Sequence, residues 1–219
     1  MSLDRENKKM NIKKIVGMAV FAALAYGVTF VFRIPVSFLT FDAKDAVLAI
    51  ASFMYGPLAA VIMTFIPAFI EFITISGTGI YGFVMNYASS LCFALVASLI
   101  YKYRRTLNGA IIGLYASVFA TTALMMVLNI FITPLYMGVK TEDVIALIPS
   151  LLFPFNLAKS LMNAAFTMLL YKPVSIAMKR ARLISGSFDT KFNKKSLIII
   201  AFGAVTLIVA IVMFIMLTR

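Results

Sequence analysis

The chain of 219 residues has no histidine and no tryptophan, a single cysteine, and 8 acidic residues against 20 Lys and Arg. Without histidine, the commonest general base and metal ligand is missing. One cysteine, Cys92, set in an apolar run, excludes an internal disulfide framework and a thiolate metal cluster. No Gly-x-x-x-x-Gly-Lys-Ser/Thr run occurs, which removes ATP hydrolysis by a phosphate loop. No serine or cysteine has an evident base partner. We therefore expect no enzyme activity, no metal and no resident cofactor.

Charge is scarce as well. Only 13% of residues are charged while 63% are hydrophobic, and the mean hydropathy is +1.02. Those values are far from a soluble domain and describe an integral membrane protein. A net charge of +12 raises the question of nucleic acid. A nucleic-acid binder gathers its Lys and Arg on one solvated face, whereas these fall between apolar runs and read as membrane topology. The partner they imply is the lipid bilayer, not nucleic acid. After the polar MSLDRENKK, the first apolar run continues for a full span without a small-residue cleavage site, so it reads as a transmembrane helix and not a cleaved signal.

About 20 apolar residues are needed to cross the hydrocarbon core. Seven apolar segments are present, at 15–32, 41–54, 58–73, 80–101, 110–135, 149–178 and 197–217. The second is too short to span comfortably and begins below the membrane surface. Tyr55-Gly56-Pro57 and Ser76-Gly77-Thr78-Gly79 read as turns. The predicted class is all-α, with residues 1–14 a cytoplasmic segment, 15–182 a six-helix membrane domain, 183–196 a cytoplasmic linker and 197–219 an additional C-terminal span. Counting Lys and Arg in alternate loops places fourteen on one side, and Arg33, Lys44, Lys140 and Arg219 on the other. The N-terminus is then inside, and a seventh crossing puts the C-terminus outside.

This topology brings Glu71, Asn86, Asn129, Asn156, Lys159 and Asn163 to the outer part of the bundle. Each has an ordinary explanation alone, since Asn locks neighbouring helices together and Lys159 or Glu71 can snorkel to the interface. Six such residues from four segments at one level favour a shared ligand site. Asn156, Lys159 and Asn163, spaced i, i+3, i+7, stack on one helical face. If Glu71 and Lys159 meet, each offsets the other's desolvation and the pocket suits a neutral ligand. Asparagine offers both an acceptor and donors. Phe38, Phe41, Phe69, Phe72, Phe83, Tyr87, Phe131, Phe153 and Phe155 could hold a flat ring. Two outer loops, one from Arg33 into the short helix and one over 136–146, could cover the site. Asp42 and Asp45 are accounted for as a helix start complementing the dipole. On the first helix, Ala19, Ala22, Ala23 and Gly27 form a small-residue stripe that serves either internal packing or a docking partner.

Residues 41–60, Phe-Asp-Ala-Lys-Asp-Ala-Val-Leu-Ala-Ile-Ala-Ser-Phe-Met-Tyr-Gly-Pro-Leu-Ala-Ala, resemble the second-helix and turn signature of the substrate-binding S components of energy-coupling factor (ECF) vitamin transporters. Pro154-Phe-Asn-Leu-Ala-Lys159, with Leu128-Asn129 and Glu71, looks most like the riboflavin-specific member; the resemblance covers about residues 12–180. It implies that Glu71, Asn129, Asn156 and Lys159 hydrogen-bond riboflavin; the depth and aromatic arguments add Asn86, Asn163, Phe41 and Tyr87 as further substrate-binding candidates. It also implies a transmembrane coupling subunit docked at Ala19, Ala22 and Ala23, two cytosolic ATPases, and transport by toppling of the whole component. S components of this type usually have six helices, so the seventh segment is a departure. The alternatives are the same fold with another vitamin or a flavin analogue, or a non-transport packing or assembly protein.

Overall fold

A computed structural model describes residues 2–184 and 194–218. Helix α1 (Ser2–Val31) leads into a hairpin of β1 (Ile34–Val36) and β2 (Leu39–Phe41), followed by α2 (Lys44–Tyr55), α3 (Pro57–Thr74) and α4 (Gly79–Tyr103). Then come α5 (Leu107–Met137), the short α6 (Thr141–Ala146), a π-helical turn (Ile148–Leu152), α7 (Phe153–Arg180) and α8 (Lys194–Thr218). Six of these helices, α1, α3, α4, α5, α7 with its π-turn, and α8, are long and apolar enough to cross a bilayer. With α2 as the short sixth member, the six-helix bundle is present and α8 is the additional span. Of the linker expected over 183–196, residues 185–193 lie outside the described residues.

Local chemistry explains the boundaries. Gly56 takes φ 91 between α2 and α3, a conformation that an L side chain resists, and Pro57 opens α3 where its missing N–H is harmless. Thr106 caps α5 by accepting a hydrogen bond from the Gly109 amide at 3.1 Å. Further along α5, a Cβ on Gly113 would fall 2.7 Å from the Ala97 carbonyl oxygen, so glycine sets how closely α4 and α5 approach. Phe41, expected to head the short helix, instead closes the hairpin, paired with Ile34. The two-residue turn places Ser37 at φ 55, as hairpin turns of this length require.

The core is built around α2. Its residues Ala46, Leu48, Ala49, Ile50 and Ala51 are all at most 1% exposed, so this helix is buried all round. On one side it meets Phe21 of α1 and Met63 of α3. On another, Phe53 joins Phe93 of α4, Leu114 and Val118 of α5 and Met168 of α7. A third cluster at the hairpin end joins Val36, Phe41, Phe155 and Met162 to α8.

Helix α8 packs along α7. A Cβ on Gly203 would lie 3.1 Å from Met168, so the two backbones are close there. The Tyr115 and Thr206 hydroxyls are hydrogen-bonded, and Phe214 meets Phe41 edge-on with ring centroids 5.2 Å apart. The opposite face of α8, with Ile208, Val212 and Met216, is exposed, as a lipid-facing surface requires.

Candidate ligand-binding site

A cavity of about 370 Å³ lies at the hairpin end, within the roughly 300–1,000 Å³ range of small-molecule sites. Thr29 of α1, the hairpin, Glu71 and Phe72 of α3, Phe83 and Asn86 of α4, Met125 and Tyr136 of α5, and Phe155, Asn156 and Lys159 of α7 form its wall. The π-helical turn, with Pro149 inside it and Pro154 just after it, delivers Phe155 and Asn156 to it; irregular turns of this kind recur at functional sites.

The electrostatics rest on two buried ion pairs. Lys44 Nζ donates to both Glu71 oxygens, at 2.7 and 2.8 Å, and Lys159 Nζ donates to Asp42 Oδ2 at 2.7 Å. The pair expected between Glu71 and Lys159 is therefore not formed. Each meets a different partner, because Lys44 in the first turn of α2 and Asp42, two residues before the helix, are inserted between α3 and α7. Asn86 Nδ2 donates to Glu71 Oε2 at 2.7 Å, and Thr29 Oγ1 donates to Oε1 at 3.4 Å. Lys159 also donates to the Thr40 carbonyl at 3.2 Å. Asp45 accepts from the Ser90 hydroxyl. Arg33, which lines the cavity, donates to the Ile75 carbonyl at 3.0 Å and ties the hairpin to the end of α3. The two ion pairs, Lys44 with Glu71 and Lys159 with Asp42, each join one cation to one anion. Of the charged residues in the cavity wall, Arg33 and Lys159 are basic and Asp42 and Glu71 acidic.

The remaining sequence candidates divide by position. Glu71, Asn86, Asn156 and Lys159 reach the cavity wall. Asn156 Nδ2 donates to the Leu152 carbonyl at 2.8 Å, which directs Oδ1 to serve as an acceptor. Asn163 sits two turns further along α7 than Asn156 and is 1% exposed. Its Oδ1 accepts from the Ala46 amide at 2.9 Å, and its Nδ2 donates to the Asp42 carbonyl at 3.0 Å. It supplies from α7 the cap that α2 does not provide for itself. Asn129 is fully buried and turned along α5, donating to the Met125 carbonyl at 2.7 Å and accepting from Thr133 at 2.9 Å.

Phe41 and Tyr87 stand behind the wall. Phe41 packs on Phe214, and Tyr87 lies parallel to Phe83 with centroids 6.2 Å apart. Of the other aromatics, Phe38, Phe72, Phe83 and Phe155 line the cavity, whereas Phe69, Phe131 and Phe153 are exposed on the bundle's outer surface. On α1, Ala22 is buried at 2%, while Ala19, Ala23 and Gly27 are exposed along one edge.

Sequence reasoning counts Lys44 only as an outer-side charge and misses it as a site residue, and it explains Asp42 and Asp45 as an ordinary helix start. The signal was present. A helix of 12 residues covers only about 18 Å, so one reaching the far surface starts inside the hydrocarbon layer, and its first-turn charges are buried with it.

Fold and cavity together define a membrane-embedded solute-binding bundle. Residues 13–171 match the model of the family described as ECF transporter, substrate-specific component, and the chain belongs to that family. Among similar proteins, the riboflavin transporter RibU of Staphylococcus aureus (strain TCH60) is 29% identical over 186 residues, spanning 79% of this chain and 97% of that one. The riboflavin transporter FmnP of Bacillus subtilis (strain 168) is 27% identical over 135 residues, 58% of this chain and 70% of its own length. A solved structure of the S component of a bacterial ECF transporter superposes with a TM-score of 0.67 at 26% identity, covering 78% of this chain and 99% of that chain. Helix α8 follows the residues that the family model matches.

Proposed function

We propose that this chain is the riboflavin-binding subunit of an ECF-type uptake transporter. The observation that carries the reading is the cavity at the hairpin end, whose wall holds two acidic and two basic side chains together with hydrogen-bonding groups and aromatic rings. A ligand with no net charge leaves both buried pairs intact. Lys159 has three ammonium protons, two of them directed to Asp42 and Thr40, and the third is a donor for the ligand. Asn156 Oδ1 is an acceptor, while the Glu71 carboxylate already accepts from Lys44, Asn86 and Thr29 and fixes the charge of the wall beside it. Phe72, Phe83 and Phe155 offer apolar faces for a flat ring system. Two relatives described as riboflavin transporters support that choice of ligand.

In the orientation that the basic loops favour, the N-terminus is cytoplasmic, the cavity is on the outer side, and the C-terminus lies outside after α8. Substrate enters from outside. A separate membrane coupling subunit docks along the exposed Ala19 and Ala23 edge of α1, where small side chains allow close helix approach, and two cytosolic ATPases supply the energy.

Titrating the purified protein with riboflavin and following flavin fluorescence tests the ligand. Saturable quenching that riboflavin produces at lower concentration than its anionic 5′-phosphate is expected, because the cavity has no excess positive charge. Absence of quenching in well-folded protein would refute the reading.

A further inference from the structure

The hairpin forms one side of the cavity through Phe38, Leu39 and Thr40, yet little within it fixes its shape. Each strand has three residues, and a two-stranded hairpin standing alone is marginal at best. Its position must come from what it touches. Two of its contacts are polar and belong to the cavity wall: Arg33 donates to the Ile75 carbonyl, and Lys159 donates to the Thr40 carbonyl. A third is apolar and comes from α8.

Val36 and Phe41 are the buried side chains of the two strands, at 7% and 4% exposure. They pack in one cluster with Phe155 and Met162 of α7, and Ala210, Phe214 and Leu217 of α8 complete it. Gly203 keeps α8 close against α7 beside Met168, and the last turns of the helix then reach the hairpin. There Phe214 meets Phe41 edge to face. Phe41 stands between Thr40 and Asp42, which supply the two acceptors of the Lys159 ammonium. A shift of Phe41 along or away from α8 moves both acceptors, because consecutive Cα atoms are held about 3.8 Å apart.

We propose that the C-terminal end of α8 is a brace: through Phe214 it positions the hairpin against the cavity and slows release of the bound ligand. Phe214 does not line the cavity, so it acts through Phe41 as a positioning residue. Swinging the hairpin outward costs the ring contact and the packing of Val36 and Phe41 against α7 and α8. Phe214 follows residue 171, where the family match ends, so the brace is an addition to the matched bundle. The effect on release rests on the riboflavin reading above, whereas the hold on the hairpin does not.

The test compares the full chain in non-ionic detergent with Phe214→Ala, with Phe214→Tyr, and with Phe202→Ala, a control that removes an exposed ring from the same helix. Hydrogen exchange of residues 34–41, followed by mass spectrometry without ligand, reads the hairpin directly. Return of flavin fluorescence after dilution of the loaded protein reads release. Phe214→Ala should speed both by about 3- to 10-fold, the range for loss of one aromatic pair, while the melting temperature falls by only a few degrees. Phe214→Tyr keeps the ring and should restore both rates, and Phe202→Ala should change neither. Should Phe214→Ala fail to fold, Phe214→Leu removes the ring edge at smaller loss of volume, with the same direction of effect. Unchanged exchange over 34–41 would overturn the brace, and faster exchange without faster release would overturn its link to the ligand. If the parent protein itself binds no riboflavin, the functional reading fails and the exchange comparison still decides the brace.

Discussion

Replacing Lys44 with methionine should destabilise this protein severely, and a second replacement should repair most of the damage. The Lys44 and Glu71 side chains are 1% and 7% exposed and 2.7 Å apart. Methionine keeps the length and apolar body of lysine, so little packing is lost. What it strands is a carboxylate held by the Asn86 amide and, more distantly, by Thr29. Breaking a buried pair on one side costs about 3–5 kcal/mol. At about 2–4 °C per kcal/mol for a chain of this size, the melting temperature should fall by roughly 6–20 °C. Glu71→Gln added to Lys44→Met removes the stranded charge, while the glutamine oxygen still accepts from Asn86. The double variant should therefore melt well above Lys44→Met alone, a strong non-additivity of the kind expected for contacting residues. The lone thiol suits the assay, because Cys92 is only partly exposed in the folded bundle and a maleimide fluorophore reports its release on heating. A Lys44→Met protein that melts within about 2 °C of its parent, or strictly additive single changes, would refute the argument that this pair holds α2 to α3.

Other outcomes follow from the same geometry. Lys159→Ala should raise the riboflavin dissociation constant by about 10- to 150-fold, the range for a charged hydrogen bond, and equilibrium quenching measures it. Asn163→Ala should lower thermal stability by about 1–3 kcal/mol, because it leaves the Ala46 amide without its cap. Its effect on riboflavin affinity should be smaller than that of Lys159→Ala, since Asn163 does not line the cavity. Ala19→Leu with Ala23→Leu should abolish uptake in cells while leaving quenching by riboflavin intact. Loss of both would place the stripe in the folding of the bundle instead. A reporter fused after Arg219 should be active only on the outer side of the membrane, and cytoplasmic activity would invert the last span.

Much of this arrangement was legible before any coordinates. Hydropathy outlined the long helices because in lipid the backbone must satisfy itself within each segment, which makes every span a long apolar run. The polar set was legible because side chains such as Lys159 are costly in a membrane and stand out against their neighbours. Pairing was not. Whether Glu71 meets Lys159 or Lys44 depends on how far α2 enters between α3 and α7, and that depth is set by packing of small residues such as Ala46 and Ala49, which no charge pattern encodes. The hairpin was hidden for a similar reason. Its strands have three residues each, too few for alternation to register, so Phe41 read as the head of a helix. The separation of Asn156 from Asn163 by function was likewise invisible, since one face of α7 serves the cavity with its first turns and caps α2 with the next.

The shortness of α2 also bears on the route that a substrate takes. A helix covering about 18 Å cannot bridge a hydrocarbon layer of about 30 Å. With its C-terminal end at the far surface, at least about 12 Å of that layer, and more when the helix tilts, lies on the hairpin side of its charged first turn, where the cavity replaces lipid with polar side chains. A solute resting against Asp42 and Lys159 has therefore already entered the membrane to more than a third of its thickness without meeting hydrocarbon. The barrier that the rest of a transporter must overcome is only the part sealed by α2 itself.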